Sequence, residues 1–265
     1  MPLTIAHPAA AILLRWACPR YLSWSALIIG TTCPDFDYFL TLSNRSGAGH
    51  TAAGSFYFCL PIGLVLYALF HIVVKRPAAL LLPVGEHRRV WDQAASRVAL
   101  FPRSLPIAGG SVFIGAWTHL AWDSLSHARG WAPRTFPVLR GTLFDIHGYE
   151  FTLFRAIQHG STVFGALCLL LLYLRWRRTT PVTAKQIPRL KVTWHFTFLT
   201  VMVLAPLLGA AALANNRVSP LSSFLDFREW LGAFAVGTLS LGALVLVVVC
   251  AIVGWQEKQL TRAAS

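Results

Sequence analysis

Five apolar runs nearly free of formal charge set the frame of this chain: residues 53–74, 104–122, 156–174, 192–216 and 230–255. Each comes close to the ~20 residues a helix needs to cross the ~30 Å hydrocarbon core of a bilayer. Pro61 and Gly63 fall inside the first run, where a membrane helix tolerates them. The third run opens near Phe154 and ends in the basic cluster Arg175, Arg177 and Arg178. A sixth stretch, 9–32, is apolar but broken by Arg15, Pro19 and Arg20, so two half-helices fit it as well as one span. Residues 86–103 interleave Arg88, Arg89, Arg97 and Arg103 with Val90, Trp91, Val98 and Leu100, the pattern of an amphipathic helix lying on an anionic leaflet. The pattern predicts an all-α fold, a polytopic integral membrane helical bundle of about five to six transmembrane helices. Residues 1–178 would form a membrane-embedded core and 179–265 a C-terminal pair of transmembrane helices.

Composition sharpens this picture. The chain is 55% hydrophobic and only 12% charged, with a mean hydropathy of +0.57, whereas about a quarter of the residues in a soluble domain are charged. A net charge of +13 raises the question of nucleic acid. The basic residues, however, cluster between apolar runs instead of forming one face, and no nucleic-acid partner is expected. Two connections are strongly basic: Lys75, Arg76, Arg88, Arg89, Arg97 and Arg103 in one, and Arg175, Arg177, Arg178, Lys185, Arg189 and Lys191 in the other. By the positive-inside rule both face the cytoplasm. The expected location is the bacterial inner (cytoplasmic) membrane, with multiple passes. Residues 1–8 lack the pattern of a cleaved signal, so the first residue should be retained. The five cysteines form no C-x-x-C pair, which argues against a disulfide framework and a thiolate site.

The chemistry gathers in His119-Leu-Ala-Trp-Asp123-Ser-Leu-Ser-His127 at the end of the second run. Positions i, i+4 and i+8 of a helix share one side, so two imidazoles and a carboxylate present a ligand face. Any one of the three alone reads better as a surface or capping residue, but together they favour a metal or catalytic role. Asp35 and Asp37 after Pro34, His50 behind a glycine-containing loop, and His159 in the first turns of the next helix fall at the same, outer, membrane boundary. Mixed His and carboxylate without thiolate suits catalytic zinc, with manganese or iron as alternatives. His7 joins this group only if 9–32 doubles back. Asp37 is a ligand or a base that orients water. In the polar connection 128–150, Arg134 and Arg140 are candidates for an anionic substrate group and Trp131 for an interface anchor. His71, His87 and His195 read as structural.

Segments 1–9, 34–39, 49–51, 118–131 and 158–161, carrying His7-Pro, Pro34-Asp-Phe-Asp, Gly49-His-Thr, Thr118-His-Leu-Ala-Trp-Asp and Gln158-His-Gly, resemble those of a bacterial membrane family, domain of unknown function 4184. The likeness covers roughly residues 1–178 and is weak beyond. More distantly, the order of these motifs is similar to that of inner-membrane proteins described as metal-dependent hydrolases. It also resembles the helical zinc-dependent phospholipase C and single-strand nuclease fold, whose His-x-x-x-Asp helix is matched by Gly115, His119 and Asp123. A doubled histidine of the hydrolases is the single His50 here, and only His127 or His159 could stand for the last phospholipase ligand. The resemblance implies a membrane-bound hydrolase, with a divalent metal as cofactor, cleaving a phosphoester in a lipid or lipid-linked substrate through metal-bound hydroxide. Membrane lipids would then be the partners. A transporter or ion-binding protein using the same His/Asp cluster is the alternative.

Overall fold

The computed structural model describes residues 4–18, 21–42, 47–96, 104–183, 187–188 and 190–263. Arg97, Arg103, Lys185 and Arg189, with Pro19 and Arg20, lie outside the described residues. The chain is nearly all helical: α1 Pro8–Ala17, α2 Trp24–Thr32, α3 Phe36–Thr41, α4 Ala52–Leu80, α5 Val84–Ala95, α6 Ser104–Ser126, α7 Trp131–Thr135, α8 Leu153–Thr179, α9 Val192–Arg217 and α10 Phe224–Ala263. Among the described residues, α4, α8, α9 and α10 are long and apolar enough to cross a membrane. Helix α6 has the length, but its glycines, serines, His119 and Asp123 dilute its hydropathy. Val65, Ile72, Phe164 and Leu171 are 64–68% exposed. Such a surface would be a liability in water and is ordinary against lipid tails.

The N-terminal stretch is two half-helices. At ten and nine residues, α1 and α2 are each about 15 Å long, half a bilayer core. Helix α1 therefore leaves His7 and α2 returns to Asp35, so both residues end at one level. Helix α2 packs closely on α6. A Cβ on Gly115 would stand 2.4 Å from the Leu27 carbonyl oxygen, and one on Gly30 would stand 2.3 Å from that of Val112. Backbone thus lies on backbone at this crossing, one turn ahead of His119.

Three elements differ from the sequence pattern. Helix α4 continues past Val74 to Leu80 through two π-helical turns, Ser55–Cys59 and Phe70–Val74, and so carries Lys75 and Arg76 within it. Helix α5 turns its apolar face inward, not to a leaflet: Trp91 and Ala94 are buried with Leu80, Phe198, Val249 and Val253. Two ion pairs brace that end, Arg76 with Glu257 at 2.6 Å and Arg177 with Glu86 at 2.8 Å. The polar connection holds an antiparallel hairpin, β1 Thr142–Ile146 and β2 Tyr149–Thr152. His147 and Gly148 turn it, both with positive φ, as a two-residue hairpin loop demands.

Candidate metal centre

Each cluster residue stands on or beside an element that fixes it. Asp35 closes the 3-10 turn Cys33–Asp35 directly after α2. His50 precedes Thr51, the N-cap of α4, whose hydroxyl accepts from the Gly54 amide at 2.8 Å. These two segments touch at Gly49, where a Cβ would come within 2.5 Å of the Pro34 carbonyl oxygen. His119 and Asp123 share a face of α6, and His7 precedes α1, where Pro8 takes the first helical position.

Four atoms form an alternating ring. His50 Nε2 lies 3.3 Å from Asp35 Oδ1 and 3.6 Å from Asp123 Oδ2. His119 Nε2 lies 3.5 Å from the same Asp35 oxygen and 3.2 Å from the same Asp123 oxygen. Adjacent ligands of a tetrahedral site with 2.0–2.2 Å bonds stand about 3.3–3.6 Å apart. The four measured edges lie in or close to that range, and the ligand atoms gather as two triads that share His119, one of Asp35, His50 and His119 and one of His7, His119 and Asp123, each with its atoms within 4.8 Å of one another. The nitrogens are buried and make no hydrogen bond of acceptable geometry, as is also true of His7 Nε2 and Asp123 Oδ1. Buried polar atoms are seldom left so. His7 adds a further nitrogen, 3.9 Å from Asp123 Oδ1, and its ring stacks on His119 at 3.9 Å.

A second layer holds the first. His119 Nδ1–H donates to the Thr31 carbonyl at 2.8 Å, which fixes the ring with Nε2 facing the two carboxylates. The Thr4 hydroxyl donates to Asp35 Oδ2 at 2.5 Å and turns Oδ1 to the histidines. His127 stands at the edge, its Nδ1 3.4 Å from Asp123 Oδ1, while the Gln158 side-chain amide reaches its Nε2 at 3.4 Å. With Gln158 donating, the His127 proton sits on Nδ1 and faces Asp123. His127 thus lies beside Asp123, outside the four-atom ring.

Charge is arranged for a cation. Burial pulls the His50 imidazole down, but the adjoining carboxylates of Asp123 and Asp35 outweigh it and raise its pKa to about 9. Burial would raise Asp35, yet His50, His119 and Thr4 together hold it below the usual carboxylate range. Burial and the neighbouring His119 lower His7 to about 4, so its ring is neutral.

Other candidates lie elsewhere. Asp37 accepts weakly from the Gly49 amide at 3.5 Å, on the loop side of His50, and is not brought into the ring. His159 is exposed and stacks on Phe151. One residue is a 100° turn of α8, and Gln158 takes the inward place. Arg140 donates to the carbonyls of Pro133 at 2.8 Å and Ala128 at 3.2 Å, so it braces its own loop, while Arg134 and Trp131 are exposed on α7. Thr4, Thr31 and Gln158 were not among the sequence candidates, since hydrogen-bonding side chains and carbonyls of this kind carry no spacing signal.

A family model described as domain of unknown function, DUF4184, matches residues 1–254. The chain belongs to that family. The DUF4184 match runs well past residue 178, so the C-terminal helices α9 and α10 are part of the family's chain and not an appendage to it. No curated protein and no solved structure matches.

Proposed function

We propose that this DUF4184 protein is a membrane-bound metal-dependent hydrolase acting on a phosphoester in a lipid or lipid-linked substrate, at the outer face of the bacterial cytoplasmic membrane. The carrying observation is the ring of two imidazole nitrogens and two carboxylate oxygens at 3.2–3.6 Å, its nitrogens buried and without a well-formed hydrogen bond. A divalent cation, zinc for preference, would be held at His119, with Asp35 and His50 completing one triad of ligands and His7 and Asp123 the other. A cation there supplies a Lewis acid for the phosphoryl oxygen and brings the pKa of a water near neutrality.

The protein's own groups then divide the work. Asp123 offers its second oxygen, Oδ1, to His7 and His127, at 3.9 and 3.4 Å, and this is the side on which a water can be oriented and its proton taken. The side chains of His50 and Asp123 are 15% and 13% exposed against 0% and 3% for His119 and Asp35, so the ring opens on the His50–Asp123 side. A proton relay would string carboxylates through the spans. In α4, α8 and α9 there are none, and in α10 they stand near the ends, Asp226 and Glu229 at one and Glu257 at the other.

The test is turnover. Detergent-purified protein should release phosphate or a phosphorylated headgroup from a membrane lipid, stop when chelated, and resume with zinc or manganese. Absence of turnover across a broad phospholipid panel by metal-loaded protein, with ion flux in liposomes that depends on Asp123, would replace this reading with a transporter.

A further inference from the structure

Next to the metal centre runs a half-open groove of about 400 Å³ between α1 and α8. His7 belongs to both, lining the upper end of the groove and stacking on His119. The lining is graded. Polar groups gather at the His7 end, where Ser161 and Thr162 lie one turn beyond Gln158, and the Trp122 indole donates to the Ser161 hydroxyl at 3.1 Å. Further along, the walls are Ile12, Trp16, Phe164, Cys168, Leu171 and Leu172. From Ser161 to Leu172 the helix rises about 16 Å, close to the ~15 Å of one leaflet's hydrocarbon. The mouth lies on the lipid-facing surface, since Trp16, Phe164 and Leu171 are 58%, 68% and 64% exposed.

We infer that this groove holds one hydrocarbon chain of a membrane lipid, aligned so that the lipid's headgroup reaches the metal centre at His7. The inference deepens the proposed function and rests on it for calling that lipid a substrate. The occupant is a chain and not a water-soluble ligand because the mouth faces lipid, the length matches one leaflet, and the polar atoms of the lining gather at the end that meets the cluster. A site built this way draws substrate from the bilayer and orients it before any chemistry. It selects for an apolar tail and not for a particular headgroup.

The test needs no turnover. The full chain is placed in phosphatidylethanolamine nanodiscs doped with a phosphatidylethanolamine whose acyl chain carries a terminal diazirine. After irradiation, adducts are mapped by peptide mass spectrometry. Adducts should concentrate on residues 9–16 and 164–172, and Cys168→Trp, which fills the groove without touching the cluster, should lower them there by about tenfold with zinc content unchanged. Leu171→Trp, at an exposed position of the same wall, should do the same if Cys168→Trp fails to fold. Adducts spread evenly over the outer faces of α4, α9 and α10, or groove labelling that neither variant lowers, would overturn the inference. Groove labelling without hydrolysis of any lipid would remove the enzyme reading and leave the chain site standing. Hydrolysis with dispersed labelling would do the reverse.

Discussion

Replacing His119 with alanine puts the heaviest load on the proposed centre. The residue is 1% exposed, and its Nε2 supplies two of the four ring edges, at 3.2 and 3.5 Å. Four-ligand zinc sites bind with apparent energies of about 10–16 kcal/mol, or ~2.5–4 kcal/mol per ligand. At 1.4 kcal/mol per decade, losing one ligand weakens binding by about 10²–10³-fold. Competition against a zinc chelator of known affinity, on protein in detergent, reads that change. A thermal melt with chelator present shows separately whether the metal-free variant folds. At zinc near 100 times the wild-type Kd, the wild type gains about 2.7 kcal/mol of stability, and the variant should gain almost nothing. His195→Ala, remote from the ring, should match the wild type. An affinity for His119→Ala within about threefold of the wild type would refute the argument, whatever its stability.

Further outcomes follow from the second layer, the charges and the topology. Thr4→Val removes the hydrogen bond that turns Asp35 and should weaken zinc binding by about 10–100-fold while leaving the other ligands in place, as chelator competition will show. His50, raised from 6.5 to about 9, stabilises the metal-free fold fully below pH 6.5, and that contribution is lost as pH rises through 9. The melting temperature of the metal-free protein should therefore fall across that window, and saturating zinc should flatten the fall. Zinc binding near neutral pH must displace this proton, so calorimetry in buffers of different ionisation heat should count at least one proton released per ion. Reporters fused after Arg178 and within residues 128–150 should report cytoplasm and exterior respectively, and a shared compartment would remove the outer-face site.

Much of the centre was legible because it rests on helical period and on order along the chain. His119 and Asp123 are four apart, and Asp35 and His50 flank a loop that had to return to the same boundary. The half-helices were one of two readings of residues 9–32, and the break at Arg15, Pro19 and Arg20 already carried the signal that brings His7 home. The period was less informative at the ends of the face. His127, at i+8, has drifted to the rim, and His159 missed the interior by one residue, where Gln158 stands instead. The hairpin at 142–152 had a signal that went unread: Phe144, Ile146, Tyr149 and Phe151 sit at alternating positions around His147-Gly148. Thr4 and Thr31 were out of reach, because each acts through a single hydrogen bond across a long sequence separation, set by the α2–α6 packing and by the return of α1.

X-ray absorption at the zinc edge of the zinc-loaded protein tests the central claim most directly. Four or five nitrogen and oxygen scatterers at about 2.0–2.2 Å are expected, with the multiple-scattering pattern of at least two imidazoles that weakens in His119→Ala. A sulfur scatterer near ~2.3 Å, or a shell without imidazole that is unchanged in that variant, would contradict it.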